Sequence, residues 1–264
     1  MSISVGDIKA LVLAGERGGP SALREAEDVA SKAEIEINGI AMLDRVLGAL
    51  SESRITNPCH IAGAHPLTRE RLASSAAYGD FVYLPAGDGP ASTVLSCLES
   101  LDRYPVLITT CDHPLLTPEM IDSFIDASLA SGADLTVGLA SKTVIEAAYP
   151  QASRTYFPVG GRKVSGCNLF LARTPAALNA VRFWREAEAD RKHPVRIARR
   201  FGLIGMLRIL RPGMNFDGVF RILSQRLDCT VRPVMMPFAE AAIDVDKPED
   251  LSLVRTIIRA RTLE

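Results

Sequence analysis

The sequence contains few cysteines, and none of them belongs to a recognisable pair. Five cysteines lie far apart along the 264 residues without forming a CxxC motif: Cys59, Cys97, Cys111, Cys167 and Cys229. An odd number at wide spacing is typical of reduced thiols and argues against a disulfide framework or a zinc site. The sequence therefore predicts a protein of a reducing compartment, which we interpret as the cytoplasm.

A strong charge excess and long apolar runs are also absent. The 30 Lys and Arg residues nearly balance the 31 Asp and Glu residues, for a net charge of −1, whereas general nucleic-acid binding requires a basic excess or stripe. No apolar run approaches the ~18 residues of a membrane span, and the N-terminus lacks the charged-then-apolar pattern of a signal segment. We therefore expect neither a nucleic-acid partner nor an integral membrane segment.

Short apolar runs alternate with amphipathic stretches along the chain. The runs predict strands at 8–13, 59–62, 80–84, 106–108, 134–139, 169–172 and 229–233, with a short extended segment at 33–37. Helical spacing of apolar residues predicts helices at 41–53, 67–76, 91–101, 118–131, 174–189 and 215–227, and another from 248. This alternation predicts an α/β fold with a mostly parallel sheet covered by helices on both faces. Because no repeat or linker interrupts the pattern, we expect a single domain over residues 1–264.

One carboxylate follows the predicted strand 106–108 directly. Asp112 comes after this strand, and Thr117-Pro118 then has the pattern of a helix N-cap and first helical residue. Open α/β sheets bind their ligands beyond the carboxyl ends of their strands, so Asp112 is a candidate ligand-binding residue. The alternative is that Asp112 only caps a turn.

Two glycine-bearing turns are candidates for anion binding. Ala14-Gly15 ends the first predicted strand, and small residues there allow backbone N–H groups to approach a phosphate. The following loop matches neither GxGxxG nor the Walker pattern. The second turn, residues 85–90, leads into a helix whose N-terminus offers N–H donors to an anion or a base edge. Both patterns also occur in ordinary strand-to-helix connections.

Residues 193–211 alternate basic and apolar side chains. This composition is typical of an amphipathic segment that contacts a membrane surface or a partner protein. The alternative is a helix that buries one face in its own domain.

Six segments, taken in chain order, together resemble one group of enzymes. They are LVLAG, SKAEIEINGIAMLDRVL, GDGPAS, CDHPLLTP, SGCNLF and DVDKPEDL. They resemble segments of the molybdenum cofactor guanylyltransferase-like (MobA-like) NTP transferases, a group related to the cytidylyltransferases of sugar and isoprenoid precursors. The resemblance covers most of the chain, is poorest at 182–230, and is most specific in CDHPLLTP and DVDKPEDL. It implies a three-layer α/β/α, Rossmann-like fold of the glycosyltransferase-A-like, nucleotide-diphospho-sugar transferase type.

The resemblance also implies an activity. Such an enzyme transfers a nucleoside monophosphate from a nucleoside triphosphate to a phosphorylated small molecule and releases pyrophosphate. CTP and GTP are common donors in the group, and we expect one of them here. Attack of a phosphate oxygen on the α-phosphorus brings two anions together, so charge neutralisation and alignment are the main catalytic tasks. Mg²⁺ suits this task, because it is typically held by one or two carboxylates and the substrate phosphates.

The resemblance assigns roles to individual residues. By similarity, Asp112 and Asp246 hold the Mg²⁺ and Lys32 neutralises the triphosphate. The implied nucleotide contacts lie in the two glycine-bearing turns and near the first of them: Leu13, Ala14, Gly15, Arg17, Lys32, Gly87, Gly89, Pro90, Ala91 and Ser92. The implied acceptor contacts are Lys163, Gly166 and Asn168.

The segment around Asp246 contains two further carboxylates. Asp244 lies two residues earlier on a predicted strand end, so its side chain shares a face with that of Asp246. Asp244 therefore either reaches the same metal or is structural. Asp250 falls in the first turn of the closing helix, where the helix dipole stabilises a carboxylate, and we expect it to contribute stability alone.

The first loop departs from the family pattern. Members commonly have a second glycine after LAG and an arginine-glycine pair before the lysine, whereas here Glu16 follows Gly15. The loop is also longer and more acidic, and Arg17 and Arg24 are both candidates for the usual arginine. Like charges near a triphosphate weaken its binding. One alternative is therefore a non-catalytic relative that binds a nucleotide or phosphorylated ligand. A second is a nucleotide-sugar glycosyltransferase, which normally carries a mid-domain pair of aspartates where CDHP supplies one.

Overall fold

The computed structural model describes residues 5–16, 21–56, 58–75, 78, 80–101, 103–189 and 214–263. Two sequence predictions fall outside these ranges: the nucleotide contact at Arg17 and the basic amphipathic segment 193–211. Within the described ranges, no helix combines the length and apolar character that a membrane span requires.

A mixed, mostly parallel sheet forms the centre of the fold. Its spatial order is β10-β7-β9-β6-β1-β4-β5, and β8 pairs with β9 outside this path. A separate two-stranded ribbon joins β2 and β3. The strands are β1 Lys9–Leu13, β2 Glu36–Ile37, β3 Ile40–Ala41, β4 Cys59–Ala62, β5 Phe81–Leu84, β6 Val106–Thr110, β7 Leu135–Ser141, β8 Phe157–Val159, β9 Arg162–Ala172 and β10 Val231–Met236.

The strand directions decide which residues meet at one edge of the sheet. β1 pairs in parallel with β4 and β6, whereas β9 runs antiparallel between β6 and β7. The first half of β9 therefore lies at the same edge as the carboxyl ends of β1 and β6. Residues that follow β1 and β6 consequently lie near residues that begin β9.

Helices cover both faces of this sheet. They are α1 Ala22–Glu27, α2 Met42–Ser51, α3 Pro66–Ala73, α4 Pro90–Leu101, α5 Pro118–Ser131, α6 Lys142–Ala148, α7 Ala177–Ala189, α8 Phe216–Leu227 and α9 Pro248–Leu263. The bounds of α5 follow from local chemistry. Thr117 accepts the Met120 N–H as N-cap, Pro118 occupies the first turn, and Gly132 ends the helix in the left-handed conformation that glycine adopts without strain.

Alternate side chains of β1 enter different cores. Ile8, Ala10 and Val12 belong to a cluster that includes Phe124 of α5, whereas Leu11 packs in a second cluster on the other face. A continuous apolar run with both faces buried is what a central parallel strand requires. The predicted three-layer α/β/α fold is therefore confirmed.

Several element predictions need correction. The strand predicted at 169–172 extends from Arg162 to Ala172, and the sequence did not indicate its first half because that half is largely polar or small and lacks an apolar run. The sequence also gave no prediction for α6 or β8. The segment 244–246 belongs to no strand among the described residues, and it follows a 3-10 turn, Glu240–Ala242. The predicted strand end at Asp244 and Asp246 is therefore wrong.

Candidate active site

A cavity of about 590 Å³ opens beyond the carboxyl ends of β1 and β6. Its lining includes many of the residues predicted to bind the nucleotide or metal: Leu13, Gly15, Lys32, Gly87, Gly89, Pro90, Asp112 and Asp246. Ala14 and Ala91 are buried, and Ser92 lies in the first turn of α4. Glu16, Ser21 and Thr110 line the cavity without having been predicted to do so.

Lys32, Asp112 and Asp246 meet in this cavity although 214 residues separate the first from the last. The Lys32 Nζ donates to Asp112 Oδ2 at 2.7 Å and to Asp246 Oδ1 at 2.8 Å. Burial alone would lower the pKa of the Lys32 ammonium, but attraction to Asp112 and Asp246 outweighs it and raises the pKa above its ordinary value. Lys32 therefore stays charged between the two carboxylates.

Hydrogen bonds at the end of β6 fix Asp112. The Thr110 hydroxyl donates to Asp112 Oδ1 at 2.5 Å, and the Asp112 carbonyl accepts the Val245 N–H at 2.9 Å. The second of these bonds ties the β6 turn directly to the segment that carries Asp246. The two carboxylates are therefore joined through the backbone as well as through Lys32.

Asp250 fixes the backbone on the other side of Asp246. Its Oδ2 accepts the N–H groups of Asp246 at 3.1 Å and Lys247 at 3.0 Å. Our expectation that Asp250 acts through the helix dipole alone is incomplete, because its carboxylate also holds the residue that points into the cavity.

Asp244 has a different environment from Asp246. Its Oδ1 accepts from Arg154 Nη2, and its Oδ2 accepts from Asn168 Nδ2 at 2.8 Å. Burial raises the pKa of the Asp244 carboxyl, although the Arg154 charge opposes this shift. Of the two roles left open for Asp244, these contacts favour the structural one.

The turn after β1 is packed closely against the turn after β4. A Cβ at Gly63 would lie 2.6 Å from the Gly15 Cα, and Gly63 has a φ of 75°. Neither a side chain nor an ordinary backbone conformation fits there, so only glycine allows this approach.

Glu16 is one of the residues that line the cavity. It accepts the Lys32 backbone N–H, and it pairs with Arg24, whose Nε lies 2.8 Å from Glu16 Oε2. Glu16, which departs from the family pattern, thus binds the Lys32 N–H and the Arg24 guanidinium, two groups that would otherwise attract an anion.

The glycine-bearing turn before α4 is also internally bonded. The Gly87 N–H donates to Thr93 Oγ1 at 2.9 Å, and the Ala91 N–H donates to Glu188 Oε2 of α7 at 3.1 Å. The sequence predicted that this helix N-terminus would offer its N–H donors to a ligand. Protein oxygens accept from both Gly87 and Ala91 here, and the role of this turn in nucleotide binding stays a prediction.

The three residues predicted to contact the acceptor lie on β9. Lys163 and Gly166 are exposed, and Asn168 has a φ of 49° at an irregularity in the β7–β9 register. Such a bulge redirects a side chain, and here the Asn168 amide is directed at Asp244. Their role as acceptor contacts stays a prediction.

Sequence reasoning missed Arg154 and Thr110. Arg154 is an isolated arginine between α6 and β8, and no local pattern marks it. Thr110 stands two residues before Asp112, which is a spacing that favours a hydroxyl-to-carboxylate bond. Across the described residues, no three or more His, Cys, Asp or Glu side chains are grouped as a metal site. The cavity lining carries the carboxylates of Glu16, Asp88, Asp112 and Asp246, and it is Asp112 and Asp246 that share the Lys32 ammonium.

Comparison with solved structures finds similar folds in a transferase, a synthase and a synthetase. A hypothetical transferase from Thermus thermophilus is 29% identical with a TM-score of 0.75, and the match covers 92% of this chain and 98% of that one. A 4-diphosphocytidyl-2C-methyl-D-erythritol synthase from Anaerococcus prevotii DSM 20548 is 11% identical with a TM-score of 0.59, over 97% and 100% of the two chains. A CMP:2-keto-3-deoxy-manno-octonic acid synthetase complexed with CTP is 12% identical with a TM-score of 0.56, over 96% and 98%.

No curated protein sequence matches the chain. A family model does: the MobA-like NTP transferase domain matches residues 10–202, which is well over half of the chain. Together with the fold and the cavity at the carboxyl ends of β1 and β6, this match shows that the chain belongs to the MobA-like NTP transferase family and is a nucleotidyltransferase.

Proposed function

We propose that the protein transfers a nucleoside monophosphate from a nucleoside triphosphate to a phosphorylated small molecule in a Mg²⁺-dependent reaction. The observation that carries the proposal is the convergence of Lys32, Asp112 and Asp246 in one cavity beside the β1 turn. These residue types supply one fixed positive charge and two oxygen donors for a cation, which suits a reaction between two anions.

The transfer reaction needs no nucleophile from the protein. A phosphate oxygen of the acceptor forms a bond to the α-phosphorus of the triphosphate, and the bond from the α-phosphorus to the oxygen that bridges the α- and β-phosphorus atoms breaks. That oxygen leaves with the β- and γ-phosphates as pyrophosphate. The protein must hold the two anions in line and neutralise their charge.

The two carboxylates fit a magnesium ion. Asp112 and Asp246 already share one cation, the Lys32 ammonium, so their oxygens converge on a position where positive charge is favourable. Mg²⁺ typically takes one or two carboxylates together with substrate phosphates. When bound, it would neutralise phosphate charge, and Asp112 and Asp246 would hold it. Lys32 would then contact the triphosphate as a point charge.

CTP and GTP are the donors we favour. One of the similar structures is a CMP-transferring synthetase complexed with CTP, and another is named as a diphosphocytidyl-compound synthase. The turn at 87–92 reaches the cavity, and a base bound beside it would compete with Thr93 and Glu188 for the Gly87 and Ala91 N–H groups.

A donor screen tests the proposal. The purified protein is first scanned by thermal shift with each of the four ribonucleoside triphosphates and Mg²⁺. A ligand at 100 times its dissociation constant adds about 2.7 kcal/mol to the free energy of unfolding, which is a visible shift. Pyrophosphate release is then measured with that donor and a panel of sugar and alcohol phosphates. If isothermal titration shows no binding of any triphosphate with Mg²⁺ present, the proposal is refuted.

Glu16 favours a second candidate function, which is nucleotide or phospho-ligand binding without transfer. Its carboxylate accepts the Lys32 N–H and pairs with Arg24, so an incoming phosphate meets a negative charge at that place. This candidate predicts triphosphate binding without pyrophosphate release for every acceptor.

A charge-removing variant measures the effect of Glu16 directly. We expect Glu16→Gln to tighten triphosphate binding several-fold, because the side chain keeps its size but loses its repulsion. Glu25→Gln, on the adjacent helix α1, is the control and should leave the dissociation constant unchanged. Weaker binding by Glu16→Gln would show instead that Glu16 helps to form the phosphate site by holding Arg24.

A further inference from the structure

Asp244 is clamped from two elements of the fold. Arg154, in the connection between α6 and β8, donates to one carboxylate oxygen, and Asn168 of β9 donates to the other at 2.8 Å. Arg154 Nη1 also donates to the Asp244 backbone carbonyl at 3.3 Å. The Arg154 and Asp244 side chains are 12% and 18% exposed, so the pair is largely removed from water.

Arg154, Asn168 and Asp244 form what we call the clamp, and Val245 connects it to the cavity. Val245 follows Asp244, is fully buried, and donates its N–H to the Asp112 carbonyl at 2.9 Å. Asp246 comes next and reaches Lys32, while Asp250 holds its N–H. The backbone that presents the Asp246 carboxylate is therefore fixed on one side by Arg154 and Asn168 and on the other by Asp250.

The alternative, that Arg154 and Asn168 exist to bind the acceptor, fits the contacts less well. The Arg154 guanidinium already faces Asp244 and lies 4.0 Å from Asp250. Asn168 itself adopts the left-handed conformation, which asparagine tolerates better than most residues do. Its side-chain amide points at Asp244. The local backbone of Asn168 thus aims its amide at a largely buried carboxylate.

We infer that Arg154 and Asn168 are positioning residues for the transfer reaction: by clamping Asp244 they hold Asp246 where it faces Lys32 and Asp112 across the cavity. The inference rests on the proposed function for the role of Asp246, and on the contacts above for the clamp itself. Outer residues that orient metal-binding side chains typically change metal affinity or activity 10–100-fold when mutated.

The test compares two arginines that pair with carboxylates. Arg154→Gln removes the clamp, and Arg173→Gln is the matched control. Arg173 pairs with Asp134 at 3.8 Å and donates to the Ala133 carbonyl, at the opposite end of the sheet. Both variants should lower the melting temperature. We expect only Arg154→Gln to lower kcat about 10–100-fold, with a smaller change in KM for the triphosphate. It should also raise the Mg²⁺ concentration for half-maximal activity.

A conservative variant and a double variant exclude a purely structural effect. Arg154→Lys keeps the charge but not the two-pronged geometry, so its kcat should lie between those of the wild type and Arg154→Gln. Asp244→Asn combined with Arg154→Gln should be no slower than Arg154→Gln alone, because both changes break the same clamp. Multiplying effects, or a normal kcat in a folded Arg154→Gln protein, would overturn the inference.

Mn²⁺ binding, followed by the loss of its free electron paramagnetic resonance signal, separates this inference from the proposed function. The proposed function is contradicted if the wild-type protein binds Mn²⁺ with a triphosphate but releases no pyrophosphate. In that case the role of the clamp is still tested by the Mn²⁺ affinity of the variants. Arg154→Gln should then weaken Mn²⁺ binding about 10-fold and Arg173→Gln should not. Equal Mn²⁺ affinity in all three proteins, or no Mn²⁺ binding by the wild type, contradicts the clamp.

Discussion

Asp244 and Asp246 are two residues apart but work in opposite surroundings. The Asp244 side chain is 18% exposed and receives hydrogen bonds from Arg154 and Asn168, whereas the Asp246 side chain is 63% exposed and faces Lys32. Buried polar partners immobilise the first, and solvent and a cation surround the second. The difference indicates that, of these two carboxylates, Asp246 is the one available to a ligand in the cavity.

The sharpest way to break this comparison is to neutralise the exposed member. Asp246→Asn should lower kcat on the order of 10²–10³-fold, as loss of a group needed for charge stabilisation does, since it removes one of the two carboxylates that would hold Mg²⁺. The melting temperature should stay nearly unchanged, because an exposed ion pair contributes little to stability. Steady-state kinetics and thermal unfolding of the same preparation test both expectations. Normal turnover by Asp246→Asn would show that Asp246 is not part of the active site.

The reverse result is expected for the buried member. Asp244→Ala leaves the Arg154 guanidinium without its main partner, and breaking a buried ion pair in this way costs about 3 kcal/mol. Urea unfolding should show the loss as a lower midpoint with an unchanged slope. Asp134→Ala, at the far end of the sheet, is the control for activity: both variants are less stable, but only Asp244→Ala should also slow turnover. An Asp244→Ala protein as stable as the wild type would mean that the clamp contributes nothing.

Asp250 is intermediate between the two, because its carboxylate holds the Asp246 backbone and also lies 4.0 Å from Arg154 Nη1. Asp250→Ala should cost about 0.5–2 kcal/mol, as loss of a side chain that caps a helix N-terminus does. We expect kcat to fall less than 10-fold, since the Val245 bond to Asp112 remains. A loss of activity as large as that of Asp246→Asn would show that Asp250 dominates the placement of Asp246.

The smallest expected effect concerns the buried thiols. Burial raises their pKa, as it raises the pKa of the Asp244 carboxyl. Burial raises the pKa of both Cys97 and Cys229 to about 11. Unfolded thiols ionise near pH 9 while the folded ones stay protonated, so stability should fall as pH rises above about 9. Ellman's reagent at pH 8 should label the native protein slowly and all five cysteines after unfolding. Fast labelling before unfolding would contradict the burial of these side chains.

The sequence predicted elements well where burial leaves a local trace. β1 and β6 are buried on both faces and read as continuous apolar runs, and α5 carries its cap and first-turn proline in the sequence. The first half of β9 was missed because it is largely polar or small and contains no apolar run. The segment 244–246 was mistaken for a strand, since local sequence does not show whether another strand pairs with it.

The site was predictable only in part, for a related reason. Lys32, Asp112 and Asp246 were identified by resemblance, because no spacing rule joins residues so far apart. Arg154 was not identified, since a single arginine in a connection has no pattern and its partner is 90 residues away. The bonds that occupy the turn before α4 were missed for the same reason, because Glu188 comes from a distant helix.

One strand described above also bears on how copies of this protein behave toward one another. Among the described residues, β10 is the last strand at one margin of the sheet, a position that can invite strands from other molecules to add. Pro233, in the middle of β10, has no N–H to offer, and the neighbouring Arg232 is exposed. A proline and a charge on a marginal strand are features that discourage edge-to-edge aggregation. Pro233→Val would restore that donor and remove this protection.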